Sequence, residues 1–369
     1  MQSPFSRRSF LTGTSAAALS VAAAHVFGQP ATGPAPKKLG VALVGIGSLT
    51  MNQILPAFAK CTMVKPVALV SGHPDKAKAQ AAKYNLDAKN IYNYDNYDTI
   101  KDNPDIDMVY IVLPNGMHAE YTIRAAKAGK HVLCEKPMAN TPEECQAMID
   151  ACNAAKKKLF VAYRMHYEPM TLKAIEIARG TGLGTVKQIS ADCGFSIGDP
   201  TQWRLNKKLA GGGSFMDIGI YALNAVRYLS GQEPTQVTAF SYATPDDVRF
   251  KEVEETISVE LQFKSGLQAS VLSTYGFGCG RYRVYGTRGT MEAEPFMNYG
   301  GNRLYPTGRS RAEFTYTPVD HFGTEMDAFS DAIQNDKPIL TPGEEGLKDM
   351  KVIAASYESA KTGKTVKIV

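Results

Sequence analysis

Leu39 to Thr50 reads LGVALVGIGSLT, and this stretch limits the possible folds more than any other. Val41, Ala42, Leu43 and Val44 form a short apolar run, as a strand buried on both faces of a parallel sheet requires. Gly45-Ile46-Gly47 then supplies a tight turn with no Cβ in the way. N–H groups at the start of the following helix can therefore approach a pyrophosphate, with Gly45, Ile46, Gly47, Ser48 and Leu49 as candidate contacts. Thr50 stands where a G-x-G-x-x-G/A fingerprint has its third small residue, so slightly looser helix–strand packing is expected there. A glycine turn alone can be purely structural; its place after a strand points to a dinucleotide.

The residues before this strand read as an export segment. Ser6-Arg7-Arg8-Ser9-Phe10-Leu11 precedes an uncharged, alanine-rich run, the twin-arginine pattern, and Ala22 and Ala24 suit cleavage before His25. The competing reading is an uncleaved arm or membrane anchor, for which the run is short. The expected organisation is a signal peptide over 1–24, an extended Pro/Ala/Gly-rich arm over 25–38, a dinucleotide-binding domain over 39–160 and a substrate and oligomerisation domain over 161–369. Folded export to the periplasm, where free nicotinamide cofactor is not expected, implies a tightly held cofactor.

The 369 residues have room for two domains, and the net charge is only +5 without a long basic run. Nucleic acid and membrane are not expected partners. The six cysteines (Cys61, Cys134, Cys145, Cys152, Cys193 and Cys279) show no C-x-x-C pair and no metal spacing, so free, mostly buried thiols and no metal are expected.

Beyond the glycine turn, helices are expected over 52–60, 76–84, 118–128 and 142–156, and strands over 66–70, 91–97, 108–113, 130–134 and 159–163. Together they make a doubly wound α/β unit. An NAD site usually has an acid at the end of the second strand. Here that strand ends Val70-Ser71-Gly72-His73, with Lys76 following. A hydroxyl plus a cation suits a 2′-phosphate and favours NADP; a solvated loop with a surface lysine is the alternative. Asn115, His118, Glu135 and Lys136 fall at carboxyl ends of strands, where such sheets bind ligands. His118 could equally be a simple helix-start residue, and Lys136 an ordinary strand exit.

In the second half, 214–229 alternates like an amphipathic helix and places Asp217 and Tyr221 on one face. The alternative is a core tyrosine and an acid complementing the helix dipole. Consecutive strands over 186–193, 236–242, 256–263, 267–274 and 281–285 argue a mostly antiparallel sheet. Helices over 325–335 and 343–360 close the chain.

The segments GIGSLTMNQILPAF, LVSGHPDKAKA, LPNGMHAEY, CEKPM, YRMHYEPM, QWRL, LAGGGSFMDIGIYALNAVRYL and PGEEGLKD together resemble the glucose–fructose oxidoreductase / inositol dehydrogenase family. The resemblance spans nearly all of the chain after the export segment. It is nearest to the branch of periplasmic glucose–fructose and aldose–aldose oxidoreductases, which has tyrosine where many relatives have histidine in D-x-x-x-H. It implies an open C-terminal sheet serving a homodimer or homotetramer. It places Lys136, Asp217 and Tyr221 around the reacting carbon, and adds Tyr94, Leu113, Arg164, Trp203 and Arg204 as cofactor contacts. Trp203 could instead be a core anchor. A phenolate needs a neighbouring cation, which Lys136 can supply, while Asp217 would orient the sugar. Tyr221 is thus the expected general acid/base, with Lys136 the alternative.

The resulting expectation is an enzyme with tightly bound NADP. It would oxidise an aldose such as glucose or xylose at C1 to a lactone and return the hydride to a second sugar. Competing readings are an aldose dehydrogenase with exchangeable NADP, a nicotinamide-dependent glycosidase, and a non-catalytic sugar-binding protein.

Overall fold

A computed structural model describes residues 37–307 and 312–369. The expected export segment and most of the expected arm lie outside the described residues. Leu39–Val44 (β1) is buried at all six positions, because its apolar run is covered on both faces of a sheet. The sheet continues with β2 (Val64–Val70), β3 (Ile91–Tyr92), β4 (Met108–Ile111), β5 (His131–Glu135) and β6 (Leu159–Ala162). Its spatial order is β3-β2-β1-β4-β5-β6 and every pairing is parallel. The order reverses between β1 and β4, so their connections leave in opposite directions and open a crevice at the carboxyl ends.

The tyrosine-rich strand expected over 91–97 pairs only at Ile91 and Tyr92. After it, Asn93 and Asn96 side chains bond backbone N–H groups of the 93–96 turn and end the ladder. The helix after the glycine turn starts earlier than expected, with a wide turn at Thr50–Ile54.

The second sheet contains β7 (Val186–Gly194), β8 (Pro234–Tyr242), β9 (Thr256–Phe263), β10 (Gln268–Thr274), β11 (Cys279–Gly286), β12 (Thr290–Ala293), β13 (Leu304–Thr307) and β14 (Val366–Lys367). Its order is β13-β12-β11-β7-β10-β9-β8-β14. The sheet is antiparallel except between β7 and β10. Strand β9 alternates buried and exposed, as expected when one face is covered and the other open. Helix Ile220–Ser230 covers the buried face and follows a wide turn at Phe215–Gly219.

Helix Pro169–Arg179 is absent from the sequence expectations, although it carries a start signal: proline in its first turn and Glu168 accepting from Thr171 N. Helix His321–Gln334 returns to the first sheet, where Phe322, Met326 and Phe329 join the core that includes Val41, Leu43 and Phe160. All six cysteines are free, and only Cys279 is not fully buried.

Candidate active site

The crevice at the carboxyl ends is a cleft of about 420 Å³. Gly45 turns the chain out of β1 with φ +94°, and a Cβ there would stand 2.3 Å from the Val112 carbonyl oxygen. Gly47 is different: a Cβ on it would meet nothing within 4 Å, because it faces the open cleft. Thr50 is fully buried, and its hydroxyl donates to the Gly45 carbonyl at 2.7 Å. The third position therefore ties the turn to the helix, and the looser packing expected there does not occur.

The opposite rim is built by Ser71, His73 and Lys76. Ser71 Oγ accepts from His73 N at 3.0 Å, which shapes the exit from β2. No carboxylate lines this rim, and Lys76 is exposed with no ion pair among the described residues. His73 is not among the expected contacts. Tyr94 lies against Gly72, Trp203 is half-buried on the cleft wall, and Arg204 stacks on its ring at 4.7 Å. Leu113, Asn115, Glu135 and Lys136 complete the lining with Val112 and Pro114. Asn115 Nδ2 donates to the Ala210 carbonyl at 2.9 Å and so fixes one wall to the second half of the chain.

Two expected cofactor contacts lie elsewhere. His118 is fully buried, with its ring nitrogens 2.8 Å from the Leu113 carbonyl and 2.9 Å from the Pro137 carbonyl. It joins two walls from behind and does not line the cleft. Arg164 lines a second cavity of about 400 Å³. Its guanidinium reaches the Met297 and Asn298 carbonyls, His321 Nδ1 and the Tyr221 hydroxyl, and it does not line the first cleft.

The cleft and this second cavity share Leu49, Glu135, Lys136, Arg204 and Asp217, so they are continuous where the chemistry-bearing groups meet. Lys136 follows β5 directly; its Nζ donates to the Asp217 carbonyl at 2.6 Å and stands 3.8 Å from Asp217 Oδ1. Asp217 Oδ2 accepts from Arg204 Nε at 2.8 Å and from the Tyr275 hydroxyl at 3.0 Å. Burial pushes this carboxyl up, but the Arg204 guanidinium, the Lys136 ammonium and the hydrogen bonds outweigh it and hold it below the usual carboxylate range. Tyr275 follows the end of β10, and no local sequence signal marks it.

Tyr221 is placed as expected on the same cavity as Asp217. Its cation is not the expected one. Lys136 Nζ lies over the ring face, 4.8 Å from its centre, and the hydroxyl accepts from Arg164 Nε at 3.1 Å. Burial raises the phenol above its ordinary range, Arg164 pulls against this, and Glu135 adds to the rise. The shift favours the protonated phenol, and the hydroxyl donates no hydrogen bond among the described residues. Glu135 accepts from Tyr110 at 2.8 Å and from Lys136 N at 3.2 Å, and burial raises its carboxyl. His321 is pushed down to about 4 by burial and by Arg164, so a neutral ring accepts from the guanidinium. Phe195, Ile218, Met297, Asn298, Tyr299 and Phe322 wall the rest of the cavity, and none stood out in the sequence.

Comparison with known proteins matches residues 39–163 to the model of an oxidoreductase family with an NAD-binding Rossmann fold. Residues 176–368 match that family's C-terminal alpha/beta domain. A D-xylose 1-dehydrogenase (NADP(+)) of Haloferax volcanii is 32% identical, with 88% of this chain and 98% of that protein covered. A D-xylose 1-dehydrogenase [NADP(+)] of Haloarcula marismortui is 30% identical over 89% of this chain and 92% of its own length. Among solved structures, aldose-aldose oxidoreductase from Caulobacter crescentus, complexed with glycerol, superposes with a TM-score of 0.88. It is 45% identical, covering 90% of this chain and all of that one.

Proposed function

This chain belongs to the oxidoreductase family with an NAD-binding Rossmann fold and a C-terminal alpha/beta domain, and from that premise we propose its function. It is a nicotinamide-dependent sugar oxidoreductase that oxidises an aldose at C1 to the lactone. A second sugar, ketose or aldose, is then reduced in the same cavity while the cofactor is retained, so turnover is ping-pong. The observation that carries this reading is that Lys136 and Asp217 line both cavities and Tyr221 lines the second beside them, with Lys136 Nζ over its ring. The similar proteins named above, xylose dehydrogenases and an aldose-aldose oxidoreductase, support aldoses as substrates.

The cleft fits NADP. The open space at Gly47 admits a pyrophosphate, and Ser71 and exposed Lys76 suit a 2′-phosphate where an acid would repel it. Bound there, the cofactor supplies the hydride acceptor. Lys136 donates to the sugar's C1 oxygen, and Asp217, kept ionised by Arg204, accepts from a neighbouring hydroxyl. In the reducing half-reaction the Tyr221 hydroxyl gives its proton to the sugar oxygen, and Arg164 stabilises the phenolate that results. The oxidising half-reaction runs the same path backwards, so the phenolate takes the proton of the next aldose.

The export segment over 1–24 supports a periplasmic enzyme, and that location supports cofactor retention. Exposed Phe240 and Tyr242 on β8 support assembly through the open sheet as a homodimer or homotetramer.

The test is the absorbance spectrum of the purified, extensively dialysed protein before and after xylose or glucose. A reduced-nicotinamide band without added cofactor, bleached by fructose or a second aldose, is the expected result. A band only on supplying NADP would replace retention by exchange. No band under either condition would overturn the oxidoreductase mechanism.

A further inference from the structure

Met297, Asn298 and Tyr299, on one short loop, wall part of the sugar cavity, and hydrogen bonds brace that loop. Asn298 N donates to Asn302 Oδ1 at 2.8 Å, and Asn302 Nδ2 returns a bond to the Asn298 carbonyl at 3.1 Å. Asn302 is 3% exposed, and its own carbonyl accepts from the Tyr316 hydroxyl at 3.1 Å. Phe296, fully buried, anchors the loop through its N–H to the Gly280 carbonyl at 3.2 Å.

Two side chains on this braced frame make no hydrogen bond among the described residues. The Asn298 amide has no partner among the described residues. Tyr299 is 55% exposed. It is packed by the Arg164 guanidinium at 4.8 Å and tilts against Phe322 with centroids 5.7 Å apart. Both residues line the cavity. An exposed aromatic face on a fixed loop suits the apolar C–H face of a sugar ring, and an unbonded amide beside it suits a hydroxyl.

We propose that Tyr299 and Asn298 select the sugar: Tyr299 is the platform on which a monosaccharide ring lies, and Asn298 reads a hydroxyl remote from the reacting carbon. This rests on the functional reading above and adds the specificity-determining residues to it. Arg164 separates the platform from the acid/base group, stacking on Tyr221 at 5.0 Å and on Tyr299 at 4.8 Å. One guanidinium therefore packs on both rings, and its Nε holds the Tyr221 hydroxyl.

The experiment titrates the NADP-loaded full chain with xylose and with glucose, following Trp203, the single tryptophan. Steady-state rates and their pH profile are measured alongside. Tyr299→Ala is expected to weaken binding of both sugars and raise both KM values about tenfold, with kcat and the pH profile unchanged and Tyr299→Phe like wild type. Asn298→Ala is expected to change the xylose-to-glucose ratio of kcat/KM by about threefold or more, since the two sugars differ only in a hydroxymethyl group remote from C1. Unchanged affinity in Tyr299→Ala, with wild type binding and turning over both sugars, overturns the platform alone. A loss of kcat with a moved pH profile and unchanged KM also overturns it, because Tyr299 would then act through Arg164 on Tyr221. A wild-type protein that binds neither sugar overturns the functional reading and the platform together.

Discussion

Replacing Tyr221 by phenylalanine separates proton transfer from every other task of the site. The ring stays, so its faces remain against Lys136 at 4.8 Å and Arg164 at 5.0 Å. What disappears is one oxygen, which accepts from Arg164 Nε at 3.1 Å. A hydrogen bond from a charged donor contributes about 1.5–3 kcal/mol, and Arg164 keeps Met297, Asn298 and His321, so the stability loss should fall at or below the lower end. Tyr221 does not line the cofactor cleft, so NADP affinity should not change. Removing a general acid/base typically costs about 10²–10⁴ in rate, or about 3–5 kcal/mol of barrier. The assay is stopped-flow reduction of the NADP-loaded enzyme by saturating xylose. Burial holds the phenol above its ordinary range, so oxidation, which needs the phenolate, should quicken as pH rises in the wild type. That alkaline limb should vanish in the variant. A rate within about threefold of wild type, or the same limb retained, would refute the assignment and leave Lys136 as the acid/base.

Gly45→Ala and Gly47→Ala should behave oppositely. At Gly45 a positive φ and a 2.3 Å approach to Val112 should destabilise the fold by about 1–3 kcal/mol from backbone strain alone, read as the midpoint of urea unfolding. Gly47→Ala should unfold like wild type and lose NADP binding, because its new methyl enters only the cleft. Lys76→Ala should weaken NADP about 10–100-fold while leaving NAD nearly unchanged, by direct titration of each; equal losses would remove it from the 2′-phosphate. His131, His166 and His321 are each pushed down to about 4 by burial. Between that value and their unfolded range the unfolded chain binds more protons, so stability should fall as pH drops from about 6.5 towards 4, by about 1.4 kcal/mol per pH unit for each proton taken up. Denaturant unfolding across that window, with His166→Gln showing a shallower slope, checks the sign.

Much of this site is local information. A strand buried on both faces must be apolar, and a turn that admits a phosphate must be glycine, so β1 and its cleft are written within a dozen residues. Asp217 and Tyr221 are four residues apart and reach one cavity even though a wide turn intervenes. Thr50 shows the limit of a motif: its hydroxyl does by hydrogen bonding what a small third residue does by close packing. His118 shows another, because a helix-start histidine at a strand's carboxyl end is well placed for a ligand until both ring nitrogens are claimed from within.

Arg164 makes the general point. It lies two residues beyond β6, on the ligand-binding edge of the sheet, and that much follows from the sequence. Two cavities adjoin that edge, and the choice between them is made by the Asn298 carbonyl and His321, which lie 134 and 157 residues away in the chain. These acceptors and Tyr221 draw the guanidinium into the second cavity. No periodicity or spacing near Arg164 encodes them. A residue's edge of a parallel sheet is set by its neighbours in sequence, but its chemical role is set by whatever the rest of the chain folds over it. Here helix His321–Gln334 and the 296–303 loop do so, and they carry an expected cofactor contact to the hydroxyl of Tyr221, the proposed acid/base group.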